Sequence, residues 1–446
     1  MVEEKYEFTS GTKKSLLIVI AVGLLFTLIG LLFAASGGDH HDAEGHAAVD
    51  HATEQVKTIQ TSAAMAEDAG AGAEGGHHGP AIWLKRLIVN LWINNIFFLG
   101  LGLIGLFFFA LQYAAQAGWS AGLKRIPLAF GNWILVAFVL TAVIFGIQWP
   151  SHALFHWLDD SLFDPTSDNY DSIIAGKSWY LNKVFYIGRM VVFFGMWIFF
   201  FKKISRLAFQ EDEIGGTDLW KKMRSWSAIF LVFFAVSSSM AAWDYVMSID
   251  THWFSTMFGW YVFASWWVSG LALILFMVVL LKDKGYLKVV NANHIHDLGK
   301  FVFAFSVFWT YIWFSQFLLI YYAHIPEETI YFVERWKNDH YAPVFFINLI
   351  LNFFLPFLLL MTRDSKRHAR ILKVVCPIVI FGHWIDFYLM ITPGTLQGNG
   401  GFGLLELGLF AVFAGSFLFV VLSNLAKKPL VAKNHPMLQE SLNHHI

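Results

Sequence analysis

Residues 256–281 read TMFGWYVFASWWVSGLALILFMVVLL, a stretch without one Asp, Glu, Lys or Arg. A helix rises about 1.5 Å per residue and needs about 20 apolar residues to cross a hydrocarbon core. This stretch is long enough to span a bilayer and too apolar to be stable elsewhere. Working outward, nine further runs pass the same test: 15–35, 87–113, 131–149, 182–201, 225–245, 300–323, 342–361, 371–391 and 403–423. The expected fold is therefore an all-α polytopic membrane protein with ten transmembrane helices. Composition agrees, since 57% of the 446 residues are hydrophobic, 18% aromatic and only 14% charged, against about 25% charged in soluble domains. A net charge of -1 and the lack of any basic strip outside the spans exclude nucleic-acid binding. The single cysteine, Cys376, excludes an intrachain disulfide, an iron-sulfur cluster and a covalent c-haem site.

The first run follows Lys13 and Lys14 and ends in small residues, as a signal peptide does, but its apolar length exceeds a signal core. It reads as a retained anchor. Lys and Arg set the orientation. Of 31, 23 fall on the side of the N-terminus and 7 on the other, with Arg189 inside a span, so both termini are expected in the cytoplasm. The chain divides into a tail and first span (1–35), a periplasmic loop rich in His, Ala and Gly (36–82), two four-helix units (83–250 and 251–395), and a last span with its tail (396–446). The loop carries Asp39, His40, His41, Asp42, His46, Asp50 and His51, donor types of a divalent-cation site. They lack a fixed ligand spacing, so no metal is assigned.

The two units look like copies. Span 4 carries Trp179-Tyr180, Phe185 and Phe193-Phe194; span 8 carries His340-Tyr341, Phe345-Phe346 and Phe353-Phe354. Span 5 closes with Trp243-Asp244 and span 9 with Trp384-Ile385-Asp386. Spans 2–5 and 6–9 are thus expected to form two four-helix bundles related as parallel repeats, flanked by spans 1 and 10.

An ionisable side chain in a span costs at least ~2.5 kcal/mol and is a functional candidate by default. Arg189, Asp244, His383, Asp386 and Glu406 qualify, all in the outer half, and Asp250 and His252 follow Asp244 at the same level. His383 and Asp386 are one helical turn apart and share a face. One reading is a relay that takes up or passes protons, since partly dehydrated acids hold protons more readily than acids in water. The other is structural, with Arg189 neutralising Asp244 or Asp386. Trp243 and Trp384 read as interface anchors. The pairs Ser306/Thr310, Asn348/Asn352 and Ser265/Ser269 each share a helix face. They suit either a water path, with His294, His296 and Asp297 at its mouth, or interhelical hydrogen bonds. His383 is the one His well inside a span, so a bis-His b-haem is not expected.

Residues 237–261 (SSSMAAWDYVMSIDTHWFSTMFGWY), 296–300 (HDLGK), 308–316 (FWTYIWFSQ), 325–329 (IPEET) and Trp384-Ile385-Asp386 together resemble the ActF-type membrane subunits of alternative complex III. These are similar to NrfD-type polysulfide reductase membrane subunits. The resemblance covers about residues 85 to 425 and leaves out the His-rich loop. It implies an integral subunit of a bacterial quinol:cytochrome c oxidoreductase in the inner membrane. The implied partners are a sister ten-helix subunit, a periplasmic iron-sulfur subunit, c-type cytochrome subunits, the quinone pool and lipid. They would carry the haem c and the iron-sulfur clusters. The resemblance leaves quinone contact by this chain open, and implies proton transfer through Asp244, Asp250, His252, His383 and Asp386, with Arg189 and Glu406 as supporting charges. Two other classes stand beside it: an autonomous ion or solute transporter, and a structural anchor for peripheral redox subunits. Against the transporter, the spans lack a pair of Gly/Pro-broken helices at corresponding positions.

Overall fold

The computed structural model describes residues 4–36 and 80–445. Within them, ten helices are long and apolar enough to cross a membrane: span 1 (Ser10–Ser36), span 2 (Ile82–Ala114), span 3 (Arg125–Ser151), span 4 (Lys183–Ile214), span 5 (Thr217–Ile249), span 6 (Phe258–Asp283), span 7 (Ala292–Ala323), span 8 (Ala342–Leu359), span 9 (Ala369–Asn399) and span 10 (Leu404–Leu425). Each expected run falls on one of them, and the chain is an all-α polytopic membrane protein. The β structure among the described residues is an isolated bridge, Lys5 to Pro429. The candidate chelating residues of the His-rich loop lie outside the described residues.

Several helices outrun their apolar stretch. Span 4 continues past residue 201 through Lys202, Lys203, Arg206 and Glu211 until Gly215, at φ +73°, ends it. Hydropathy measures the lipid-facing length, whereas backbone hydrogen bonds carry a helix on until a residue that tolerates positive φ stops it.

Spans 2 and 6 are buried almost all round, as expected of helices enclosed by other helices. They touch at Gly100, where a Cβ would collide with the Trp266 ring. Span 2 also packs on spans 3, 5, 9 and 10, and span 6 on spans 5, 7 and 9; span 4 packs on 3 and 5, and span 8 on 7 and 9. Span 1 packs chiefly on span 10. Its buried residues are Gly23, Thr27 and Gly30. A Cβ on Gly23 would sit 2.8 Å from the Gly408 carbonyl. Lipid gives two apolar helices no hydrophobic reason to pair, so small residues that let the backbones touch supply the attraction.

Both ends of the described chain lie on one side of the molecule. The Leu430 amide donates to the Glu4 carbonyl (2.8 Å), Tyr6 packs on Tyr286 with ring centroids 5.5 Å apart, and Asn291 Nδ2 donates to the His444 carbonyl (2.8 Å).

The spans that surround Asp386 carry the irregular backbone. Span 8 contains a π turn, Ile350–Phe354, in which the Leu355 amide reaches the Ile350 carbonyl. Pro356 follows and has no N–H to offer the carbonyl four residues back. In span 9, Pro393 likewise leaves the Leu389 carbonyl without its helical donor. Arg335 Nε takes that place at 2.9 Å. Arg335 comes from an amphipathic helix between spans 7 and 8, Pro326–Trp336, with Tyr331, Phe332 and Arg335 buried. Its signals were present in the sequence, with Pro326 at the first turn followed by Glu327 and Glu328.

Candidate functional site: a buried carboxylate among neutral donors

Asp386 is fully buried where spans 6, 7, 8 and 9 meet. Tyr261 Oη of span 6 donates to Oδ1, Trp309 Nε1 of span 7 donates to Oδ2 (2.9 Å), and Asn348 Nδ2 of span 8 donates to Oδ1 (3.0 Å). These three partners are neutral. Every one of them is a donor, so they stabilise an anion and leave no shell of oxygens suited to a metal cation.

The network continues by one turn. Asn352 Nδ2 donates to Asn348 Oδ1 (2.6 Å), and His383 Nδ1 shares a hydrogen bond with Ser265 Oγ (3.1 Å). The Trp309 ring stands edge-on to His383 at 5.4 Å. His383 Nε2, Asn352 Oδ1 and Ser306 Oγ are buried and without a partner. Buried polar atoms of this kind are the sites that ordered water satisfies.

Asp244 is bound differently. Arg189 Nε donates to Asp244 Oδ2 (2.7 Å) and Nη2 to Oδ1 (2.9 Å), a bidentate pair with both residues buried. Arg189 Nη1 also donates to the Tyr180 carbonyl (3.0 Å), and the guanidinium lies 3.8 Å from the Tyr180 ring centre. Of the two carboxylates open to Arg189 in the sequence, Asp244 is the one it neutralises.

The remaining candidates lie apart. Glu406 is fully buried between spans 2 and 10, held by Arg86 Nε (2.7 Å) and Nη2 (2.8 Å) and by Asn90 Nδ2 (3.0 Å). Its amide-facing oxygen also accepts from the Gly403 N–H (2.8 Å), which makes it a helix cap. His252 is on an exposed loop, bonded to Asp171 Oδ2 at 2.6 Å, and does not join the buried set. Asp250 abuts span 9 at Gly394. Burial pushes its carboxyl above the usual range, against the pull of Arg335, His252 and Lys177. The seven candidates thus fall into four places rather than one relay.

Two further expectations are corrected. Trp384 is fully buried, not an interface anchor, and its Nε1 donates to Asn94 Oδ1 (3.0 Å), tying span 9 to span 2. The expected mouth at His294, His296 and Asp297 is covered by the C-terminal tail, since His294 Nε2 meets Ser441 Oγ at 3.1 Å and His444 Nε2 meets Asp297 Oδ2 at 2.7 Å. Of the polar stripes, Ser265, Asn348 and Asn352 belong to the Asp386 network, whereas the Ser269 and Thr310 hydroxyls bond back to their own helices. The sequence reading missed Tyr261, Trp309, Arg86 and Arg335. The first two are neutral members of aromatic-rich helices, where only a partner marks them out.

Neither a scan of protein-family models nor a search of curated proteins returns a match to this chain.

Proposed function

We propose that this chain is the proton-handling membrane subunit of a quinol-oxidising complex, with Asp386 as its exchangeable group. The observation that carries the reading is the contrast between two buried carboxylates. Asp244 lies at the end of the α-helix of span 5, and Asp386 lies within span 9, about ten residues before its α-helix ends at Leu396. Each is met by a polar residue from the helix before it, Arg189 in one case and Asn348 in the other. A guanidinium fixes its carboxylate in the ionised state. An amide, an indole and a phenol stabilise the anion without a compensating positive charge, so in this reading the buried Asp386 takes up and releases one proton. His383, Asn352 and Ser306 would hold the water through which that proton moves. The neighbours described above support two four-helix bundles, the Lys and Arg bias supports cytoplasmic termini, and the bacterial plasma membrane follows from the resemblance alone.

In this reading the electron carriers, haem c and iron-sulfur clusters, reside in partner subunits alongside a sister ten-helix subunit. This chain contributes acid and imidazole side chains and carries no redox centre itself. No residue is assigned to quinone.

The second reading, a structural anchor, is favoured by the Arg189–Asp244 and Arg86–Glu406 pairs, which cross-link spans. Infrared difference spectra of the full chain, taken between about pH 8 and about pH 5, separate the two. The carboxylic-acid carbonyl band that appears on acidification is expected to lose intensity in Asp386→Asn and to keep it in Asp244→Asn. A spectrum unchanged by Asp386→Asn would leave the anchor.

A further inference from the structure

A second group of buried titratable side chains lies at the other end of the molecule, on the side of the termini. Glu211 is about 33 Å beyond Arg189 along span 4, at about 1.5 Å per residue. Lys124, just before span 3, is buried, and its Nζ lies 3.1 Å from Glu211 Oε2. Tyr113, near the end of span 2, bridges the two: its Oη donates to Glu211 Oε2 (2.5 Å) and accepts from Lys124 Nζ. Beside them Arg125 pairs with Asp212 and donates to the Ala208 carbonyl (3.2 Å).

The cluster is incompletely satisfied. Gln112 Oε1, Glu211 Oε1, Asp212 Oδ1 and both Nε and Nη1 of Arg125 are buried without partners. A cavity of about 10 Å³ opens among Gln112, Tyr113, Ser120, Lys124, His435 and Met437. That is about the volume one water needs, with polar atoms on several sides to bind it. The C-terminal tail covers it: Asn434 Nδ2 donates to the Asp212 carbonyl (2.7 Å) and Ser441 Oγ to the Trp119 carbonyl (2.8 Å).

We propose that Tyr113, Lys124 and Glu211 form a second proton-exchange site, opening through the water-sized cavity beneath the C-terminal tail. In the loaded state the Lys124 ammonium faces the Glu211 carboxylate. On release, one proton leaves Nζ for the cavity water and passes to solvent. The neutral amine still donates to Tyr113, whose own O–H still donates to Glu211. No other bond changes, and the net charge of the triad falls by one. The unpaired N–H groups of Arg125 offset that negative charge. Around Lys124 the facing titratable and charged groups are Tyr113 on span 2, Arg125 on span 3, Glu211 and Asp212 on span 4, and His435 in the tail. Lys428 shares the Phe209 ring with Arg125.

Burial pulls the Lys124 ammonium down to about 7, with Arg125 adding to the effect and Glu211 opposing it. Burial, helped by Lys124 and Arg125, holds the His435 imidazole down to about 3, so it faces the cavity uncharged.

The test is proton uptake by the full chain in lipid nanodiscs, followed with a pH dye as the medium steps from about pH 8.5 to about pH 6. Wild type is expected to take up about one proton more than Lys124→Met. Tyr113→Phe removes the hydroxyl that accepts from the Lys124 ammonium and is expected to move the uptake midpoint to lower pH. Equal uptake by wild type and Lys124→Met would overturn the site, because the ammonium would then be permanently charged. Should Lys124→Met fail to fold, Glu211→Gln serves: removing the anion is expected to move the uptake midpoint to lower pH, and an unmoved midpoint would overturn the proposal. Asp386→Asn leaves the increment due to Lys124 intact, so this site and the one around Asp386 stand or fall separately.

Discussion

Asp244 on span 5 and Asp386 on span 9 are both buried aspartates, yet losing the charge should cost unequal amounts. Asp244→Asn leaves Arg189 buried and uncompensated, a defect worth about 3–5 kcal/mol. Asp386→Asn keeps the shape and strands no charge, but sets an amide N–H against one donor, so the expected loss is smaller, about 1–2 kcal/mol. Denaturation of the two purified variants in the same detergent checks this, and equal losses would assign Asp386 to structure. Lys124 gives a pH dependence of defined sign. Its pKa is lower folded, about 7, than unfolded. Between about pH 7 and about pH 10 the unfolded chain therefore binds more protons, and folding stability rises with pH. The stability of wild type relative to Lys124→Met should increase over that window; a flat difference would contradict the assignment. At this scale the sequence was half legible. Charges in apolar runs announce themselves, as Arg189, Asp244 and Asp386 did. Tyr261 and Trp309 resemble dozens of other aromatic residues until the fold sets them against a carboxylate, whereas Asn348 was visible as one half of a polar stripe.

Helices were the most legible level, because about 20 uncharged residues admit few structures besides a span. Their ends and interruptions were not legible. Span 4 runs on to Ile214 because nothing before Gly215 stops its hydrogen bonding, and the π turn in span 8 follows from one proline four residues beyond Asn352. The Arg335 substitution for a missing helical donor is open to a double-mutant cycle. Arg335→Ala in wild type strands the Leu389 carbonyl and should cost about 2 kcal/mol. In a Pro393→Ala background the helix regains its own N–H, so the same change should cost less by at least ~1 kcal/mol. Stability measurements of the four proteins give the coupling, and additivity within ~0.5 kcal/mol would show that Arg335 holds the loop for another reason.

For the whole molecule, the expectation of an internal repeat rested on Trp243-Asp244 and Trp384-Ile385-Asp386, and it did not foresee that one Asp meets a guanidinium and the other neutral donors. That difference depends on whether Arg189 or Asn348 arrives from the preceding helix, which no spacing rule fixes. Under the proposed function it is also what separates a proton carrier from a scaffold. The direct measurement is quinol-driven turnover and proton release by the assembled membrane complex carrying Asp386→Asn, purified through this chain and checked for c-haem absorbance. The account predicts intact assembly with turnover reduced at least ~10-fold, while wild-type turnover and proton stoichiometry in that variant would contradict it.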